Sequence, residues 1–348
     1  MTMMTLRAGR IAALVAMMLA VSGGVQAQLP TTLRFGSEVP PEVDLVYERG
    51  LAWLASKQSS NGSWEDGNSG SGLNGICLMA FLASGEDPNF GRYANTVRAA
   101  IRSIILGQDA ATGYFPNSMY HHGFAMLALS EAYGTVDESL LWGGDGEEKG
   151  HRSIAEALDL AIRCSATSAK KNRFGAWRYS PDATDADTSV CAAMLMGLLA
   201  ARNAGLSVPD ETVDNAVEYL RRSTGRNGAV AYAGGFGGGE SMNRSAFATL
   251  VYAVSRHKDW KEYNATLSYI KGNLEHKESG HPHYFLYYMA QALFQGDYES
   301  WQKWNASVVR QLKETQNPDG SFQGGSYATG MSLLGLALNY RFLPIYER

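Results

Sequence analysis

The sequence predicts an all-α protein whose helices pair into about six hairpins and close on themselves as a double ring, an α/α toroid. Three observations carry this expectation. A Gly-x-aromatic triplet recurs along the chain. Each copy separates a helical stretch with one apolar face from a second stretch that is apolar nearly all round. The 348 residues also hold 38 glycines against 10 prolines, well above the ~7% glycine of ordinary chains. No collagen period or low-complexity run accounts for that excess, so turns at repeated positions must.

The repeat sets the frame for every element. Its clearest landmarks are Gly62-Ser63-Trp64, Gly113-Tyr114-Phe115, Gly175-Ala176-Trp177 and Gly320-Ser321-Phe322, with degenerate copies at Gly228-Ala229-Val230 and near Gly280. Successive glycines lie 51, 62, 53, 52 and 40 residues apart. A glutamine precedes three of the triplets, at Gln58, Gln108 and Gln316.

The helical elements follow from periodicity. In the first unit Val46, Leu51, Leu54 and Ala55 share one face ahead of Gln58, and Ile76, Leu78, Met79, Phe81 and Leu82 then form an all-apolar helix. The same contrast pairs Ala157–Ile162 with Val190–Ala201, Ala216–Leu220 with Phe247–Val254, and Trp301–Leu312 with Met331–Leu338. A one-faced helix belongs at a surface and an all-apolar helix must be buried. Alternation of the two therefore builds two concentric layers. Gly85, Gly134, Gly205 and Gly296 follow the buried helices, where a left-handed residue ends a helix well.

Residues 1–27 read as a secretory signal. Arg7 and Arg10 precede the apolar run Ile11–Val21, which is too short for a membrane span of ~20 residues, and Val25-Gln26-Ala27 is a small-x-small cleavage site. Residues 28–43 follow as an extension and 44–343 as the toroid. The expected location is periplasmic or secreted, with no integral membrane segment after cleavage. The charge of -4 argues against a nucleic-acid partner. Cys77, Cys164 and Cys191 are odd in number and contain no C-x-x-C, which excludes a disulfide-stapled scaffold and reads as buried thiols.

The Gln-x3-Gly-x-aromatic runs at Gln58–Trp64 and Gln316–Phe322 resemble the QW motif of the prenyltransferase and squalene-cyclase repeat superfamily, the terpenoid cyclase-like toroids. The stretches Tyr287–Phe294 and Trp301–Asn305 are similar to exported bacterial squalene-cyclase-like repeat proteins. The resemblance covers the chain from about Asp44 to Leu343. It implies the toroid fold, with glutamine and aromatic tying successive repeats together. It also implies that any active cavity is a central funnel lined by the buried helices.

The starts of those helices are therefore where chemistry is sought. Four of the seven histidines fall there, His121, His122, His281 and His283. Asp185-Ala186-Asp187-Thr188 is similar to the DxDD motif of class II cyclases, in which the middle aspartate protonates an alkene or epoxide. The resemblance makes Asp187 the proton donor and Asp185 its flanking carboxylate, with Thr188 in place of the last aspartate. The same Asp-Thr-Ser is also a good N-cap. Arg244, behind the glycines at 234–239, together with Tyr284 and Trp177, completes a candidate ligand-binding set with the histidines. His and carboxylate side chains suit zinc. The Asp-x-Cys spacing of the protein prenyltransferase β subunits is missing, however, so no metal or other cofactor is expected. Asp145, Glu147 and Glu148 read as a solvated link.

Three functions follow as expectations. The first is an exported repeat protein that binds a small hydrophobic or saccharide ligand, or a protein partner, at the funnel mouth. The second is a class II cyclase-like isomerase acting through Asp187. The third is an exported carbohydrate-active toroid. A cyclase requires a deep greasy funnel with Asp187 pointing inward, a saccharide enzyme requires an open cleft, and a binding scaffold tolerates a filled or shallow funnel.

Overall fold

Twelve α-helices alternate between half-buried and almost wholly buried sequence, as the periodicity requires, in a computed structural model that describes residues 39–67, 69–142, 151–233 and 241–346. The proposed signal, most of the extension, the glycines at 234–239 and the Asp145–Glu148 link lie outside the described residues. The outer helices are α1 (Pro41–Lys57), α3 (Ala94–Leu106), α5 (Ile154–Lys171), α7 (Asp210–Arg222), α9 (Lys261–Lys271) and α11 (Tyr298–Thr315). The inner ones are α2 (Ser71–Leu82), α4 (Met119–Ala132), α6 (Thr188–Asn203), α8 (Met242–Val254), α10 (Pro282–Gly296) and α12 (Ser326–Leu336). Among the described residues there is no strand, only two isolated bridges. The first helix begins at Pro41, slightly ahead of the expected boundary at Asp44.

Every residue of α2 is buried, whereas α9 buries only Tyr263, Thr266 and Ile270. Each apolar side chain buried in the inner layer contributes roughly 1.5–3 kcal/mol, so the inner layer holds the fold and the outer layer shields it. The inner helices pack in cyclic order, and α12 returns to α2 while α11 meets α1. The seam is stitched by Arg49 donating to the Asn317 carbonyl (2.8 Å), Trp53 Nε1 to Asp319 (3.1 Å) and Gln316 Nε2 to the Val46 carbonyl (2.9 Å). The ring is closed.

The triplet turn explains the glycines. Gln108 Nε2 donates to the Gly113 carbonyl of its own turn (2.9 Å) and to Ala157 on α5 of the next repeat (2.8 Å). Gln58 and Gln316 do the same in their units. Gly113 has φ +75°, and a Cβ there would lie 2.3 Å from the Leu160 carbonyl oxygen. Glycine is thus required twice, for the left-handed turn and for the approach of one repeat to the next. The exit turns follow expectation at Gly85, Gly134 and Gly205, all with positive φ, but not at Gly296. Gly296 remains the last residue of α10, and the chain leaves through extended Asp297, which caps α11. The left-handed residues after α8 and α12 are instead Arg256 (φ +67°) and Arg341 (φ +60°).

All three cysteines are free and buried. No helix among the described residues is long and apolar enough to cross a membrane.

Candidate functional site

The six inner helices begin at one end of the ring, and their first turns follow a common register. The fourth residue is spent on the triplet turn. Asn74 Oδ1 accepts from the Trp64 N–H (3.0 Å), His122 Nδ1 from Phe115 (3.0 Å), Cys191 Sγ from Trp177 (3.3 Å) and Thr329 Oγ1 from Phe322 (2.9 Å). His122 is therefore a turn residue. It is fully buried, and its Nε2 meets the Ala161 carbonyl and Ser165 Oγ, both at 3.1 Å. Burial lowers its pKa to about 4, so it is neutral at physiological pH. Trp177 is likewise buried in its turn, with Nε1 donating to Ser165 O at 3.0 Å. Neither side chain faces the mouth.

The second and third residues of the inner helices are left for the mouth. His121 is half-buried on α4, and its Nδ1 is buried without a hydrogen-bond partner. Burial lowers its pKa. His283 meets Ser332 Oγ at 2.8 Å on the neighbouring α12, and burial lowers its pKa as well. His281 is exposed ahead of α10. The four histidines are thus dispersed. Among the described residues no three His, Cys, Asp or Glu side chains converge to hold a metal ion.

Asp187 is wholly buried and caps α6. Its Oδ1 accepts from the Ser189 N–H (2.7 Å), the Val190 N–H (3.2 Å) and the Ser189 hydroxyl. The other oxygen faces the mouth, where the Tyr179 hydroxyl donates to it at 3.3 Å. Tyr179 in turn meets the Tyr232 hydroxyl at 2.9 Å. Two guanidinium groups flank these phenols. Arg178 lies 5.9 Å and Arg244 6.0 Å from the Tyr232 ring centre. Arg178 pairs with Asp185 at 2.7 Å, and Arg244 Nε donates to the Val230 carbonyl at 2.7 Å. Burial raises the Tyr232 pKa first, and its hydrogen bond to Asp187 adds to the rise. The phenol therefore stays protonated and acts as a hydrogen-bonding group.

Tyr284 is buried at the ring centre. Its ring lies 6.0 Å from Tyr120 and 4.7 Å from Tyr288, while Tyr287 meets Phe124 at 6.0 Å. Phe247 of α8 packs on Tyr288 at 5.8 Å. Helices α4 and α10 stand opposite each other in the cyclic order, so aromatic rings meet across the middle of the ring. Among the described residues, these aromatic side chains occupy the funnel below its mouth.

Arg178, Tyr179, Tyr232 and Asn117 were not among the expected site residues. A signal for three of them was present. Asp66, Asn117, Tyr179 and Tyr232 each stand two residues after a triplet's third residue, and that position rises beside the mouth. Asp66 there accepts from the Tyr327 N–H across the seam (3.0 Å).

No protein-family model matches this sequence, and no curated protein matches it. Solved structures do match in fold. The GH76A α-1,6-mannanase of Salegentibacter sp. HEL1_6 superposes with a TM-score of 0.60 at 11% identity, over 85% of this chain and 98% of that one. The type II terpene cyclase MstE from Scytonema, in a variant bound to geranylgeranyl dihydroxybenzoate, gives 0.58 at 14% identity, over 87% and 98%. Dfg5 from Chaetomium thermophilum in complex with glucosamine gives 0.54 at 11% identity, over 86% and 89%. The chain has the α/α-toroid fold, which the mannanase and the terpene cyclase structures share.

Proposed function

We propose that the protein is an exported toroid that binds a hydroxyl-rich ligand of saccharide type at the mouth of its ring. The observation that carries this reading is the rim formed by Asp187, Tyr179 and Tyr232. A carboxylate oxygen and two phenolic hydroxyls stand within hydrogen-bond reach of one another, and Tyr179 is 48% exposed. Such a group offers donors, an acceptor and an aromatic face, the set that a sugar ring requires. Arg178 and Arg244 add charge, but Asp185 and Asp187 balance it, which favours a neutral polar ligand over an anion.

The filled centre weighs against a long isoprenoid chain. The position of Asp187 at the start of α6 favours the cyclase reading, yet one of its oxygens is committed to the cap and the other to Tyr179. The mannanase neighbour was also solved as an inactive variant with two consecutive aspartates replaced. No two aspartates are consecutive in this sequence, so binding is favoured over hydrolysis.

The test is calorimetric titration with α-1,6-mannotetraose, glucosamine and geranylgeranyl dihydroxybenzoate, the ligands of the structural neighbours. Saccharide binding that weakens in Tyr232→Phe and Asp187→Asn supports the proposal. Binding or cyclisation of the prenylated compound alone overturns it.

A further inference from the structure

A second concavity opens beside the rim, at the seam where the first, second and last repeats meet. It has a volume of about 430 Å³ and is lined by Ser69, Asn117, Tyr120, His121, Tyr179 and Tyr327, among others. That size lies within the ~300–1,000 Å³ of small-molecule sites. Tyr179 belongs to both places, since its hydroxyl reaches Asp187 while the residue also lines the concavity.

Several independent features converge on this pocket. Asn117 adopts φ +87°, a region that costs a non-glycine residue ~1 kcal/mol or more and that clusters at ligand sites. Its Nδ2 donates to the Ser69 carbonyl and ties the first repeat to the second. A Cβ at Gly72 would lie 2.6 Å from the His121 Cα, so the two inner helices touch there and His121 is held against α2. The tyrosines 120 and 327 meet through their hydroxyls at the base. His121 turns its Nδ1 in against Gly70 and Gly72, where it is buried with no partner, while the residue lines the pocket, so the opposite ring edge with Nε2 is the one left for a ligand.

We infer that the seam pocket is a subsite for one hydroxylated ring of the ligand, with His121 as its hydrogen-bonding contact and Tyr120, Tyr179 and Tyr327 as its aromatic walls. This rests on the reading that the mouth binds a saccharide, and it extends that site from the Asp187 rim to the seam. A ligand spanning both carries at least two rings, one on each side of Tyr179.

The experiment titrates the full chain, labelled at histidine, with α-1,6-mannotetraose and with glucosamine, and follows both affinity and the imidazole resonances. The His121 signals are expected to shift while those of His122, enclosed in its turn, do not. His121→Ala should weaken mannotetraose binding about tenfold, the size of one lost hydrogen bond with its buried partner left unmet. His121→Gln provides the same comparison if the alanine variant does not fold. If Tyr232→Phe weakens binding while His121 stays silent and His121→Ala binds as wild type, the subsite is wrong and the rim reading stands. If His121→Ala weakens binding while Tyr232→Phe and Asp187→Asn do not, the subsite stands and the rim reading falls. If neither sugar binds, both fall.

Discussion

Substituting Gly113 and Gly134 by alanine separates the two reasons a repeat turn demands glycine. Their backbones are nearly the same, with φ +75° and +78°. An L-residue in the left-handed region costs ~1–2 kcal/mol, and both variants bear that term. Their surroundings differ. Nothing lies within 4 Å of a Cβ at Gly134, whereas at Gly113 the Cβ would sit 2.3 Å from the Leu160 oxygen and 2.6 Å from its carbon. Those atoms are helix backbone and cannot swing aside. Forcing a methyl into such a contact costs a further ~1–3 kcal/mol. Displacing the turn also strains the Gln108 bridge to Ala157, at ~1 kcal/mol.

The expected destabilisation is therefore ~3–6 kcal/mol for Gly113→Ala against ~1–2 kcal/mol for Gly134→Ala. At ~2–4 °C per kcal/mol for a chain near this size, the first variant should melt at least about 4 °C below the second. Urea unfolding followed by far-ultraviolet circular dichroism, with unchanged m-values, gives the comparison directly. Equal losses in the two variants would refute the reasoning. The glycines would then serve turn conformation alone, and the close approach between repeats would carry no energy.

Other consequences follow from individual residues. With a pKa near 4 in the fold against ~6.5 unfolded, His122 binds fewer protons folded than unfolded between those values. Its contribution is complete above pH 6.5 and is lost as pH falls toward 4, at roughly 3 kcal/mol in all. Denaturant titrations across that range should show the loss in wild type and a flatter profile in His122→Asn, where asparagine takes the part Asn74 plays in the first unit. Asp187→Asn keeps a capping oxygen and should change stability little, whereas Asp187→Ala should cost ~1–2 kcal/mol, read from thermal melts. Tyr288→Phe removes a buried hydroxyl that meets the Tyr284 hydroxyl, so it should cost ~1 kcal/mol and lower the melting temperature. An unchanged melting temperature would show that this hydroxyl pair carries no stability.

The architecture was legible because its signals are local. One-faced and all-apolar helices alternate, and the triplets mark each return, so six pairs and a ring could be read without any tertiary information. The fifth unit was harder. Near Gly280 the triplet has decayed, and the chain enters α10 through exposed His281 and Pro282 rather than through a left-handed glycine. The content of the funnel was not legible. Tyr284, Tyr287 and Tyr288 were visible as an aromatic run, but only the closed ring brings them against Tyr120 and Phe124 of the opposite helix. His121 and His122 are adjacent and chemically identical, and nothing in composition tells them apart. Their difference is one step of helical register, which points one into the turn and leaves the other at the mouth.

That register offers a way of separating structural from functional polarity in this fold. At the fourth position of five inner helices stand Asn74, His122, Cys191, Ser245 and Thr329. Four of them accept from the triplet's aromatic N–H, and Ser245 donates to the Gly228 carbonyl at 2.9 Å. Amide, imidazole, thiol and hydroxyl interchange there because the turn asks only for a small polar atom in one place. A histidine at that position says nothing about ligand chemistry. Once those residues are set aside, the polar groups remaining at the ring's mouth come from the second and third helical positions, from the residue two beyond each triplet, and from the Asp187 oxygen that accepts from Tyr179. Their distribution is uneven around the ring. The first unit contributes glycine and leucine at the second and third positions, Gly72 and Leu73, where the second unit has Tyr120 and His121 and the fourth Asn243 and Arg244. A purely structural rim would have no reason to depart from the repeat in this way. The second and fourth units, which carry these polar residues, flank the third, which supplies Asp187 and Tyr179, and the asymmetric ligand proposed above would account for the departures.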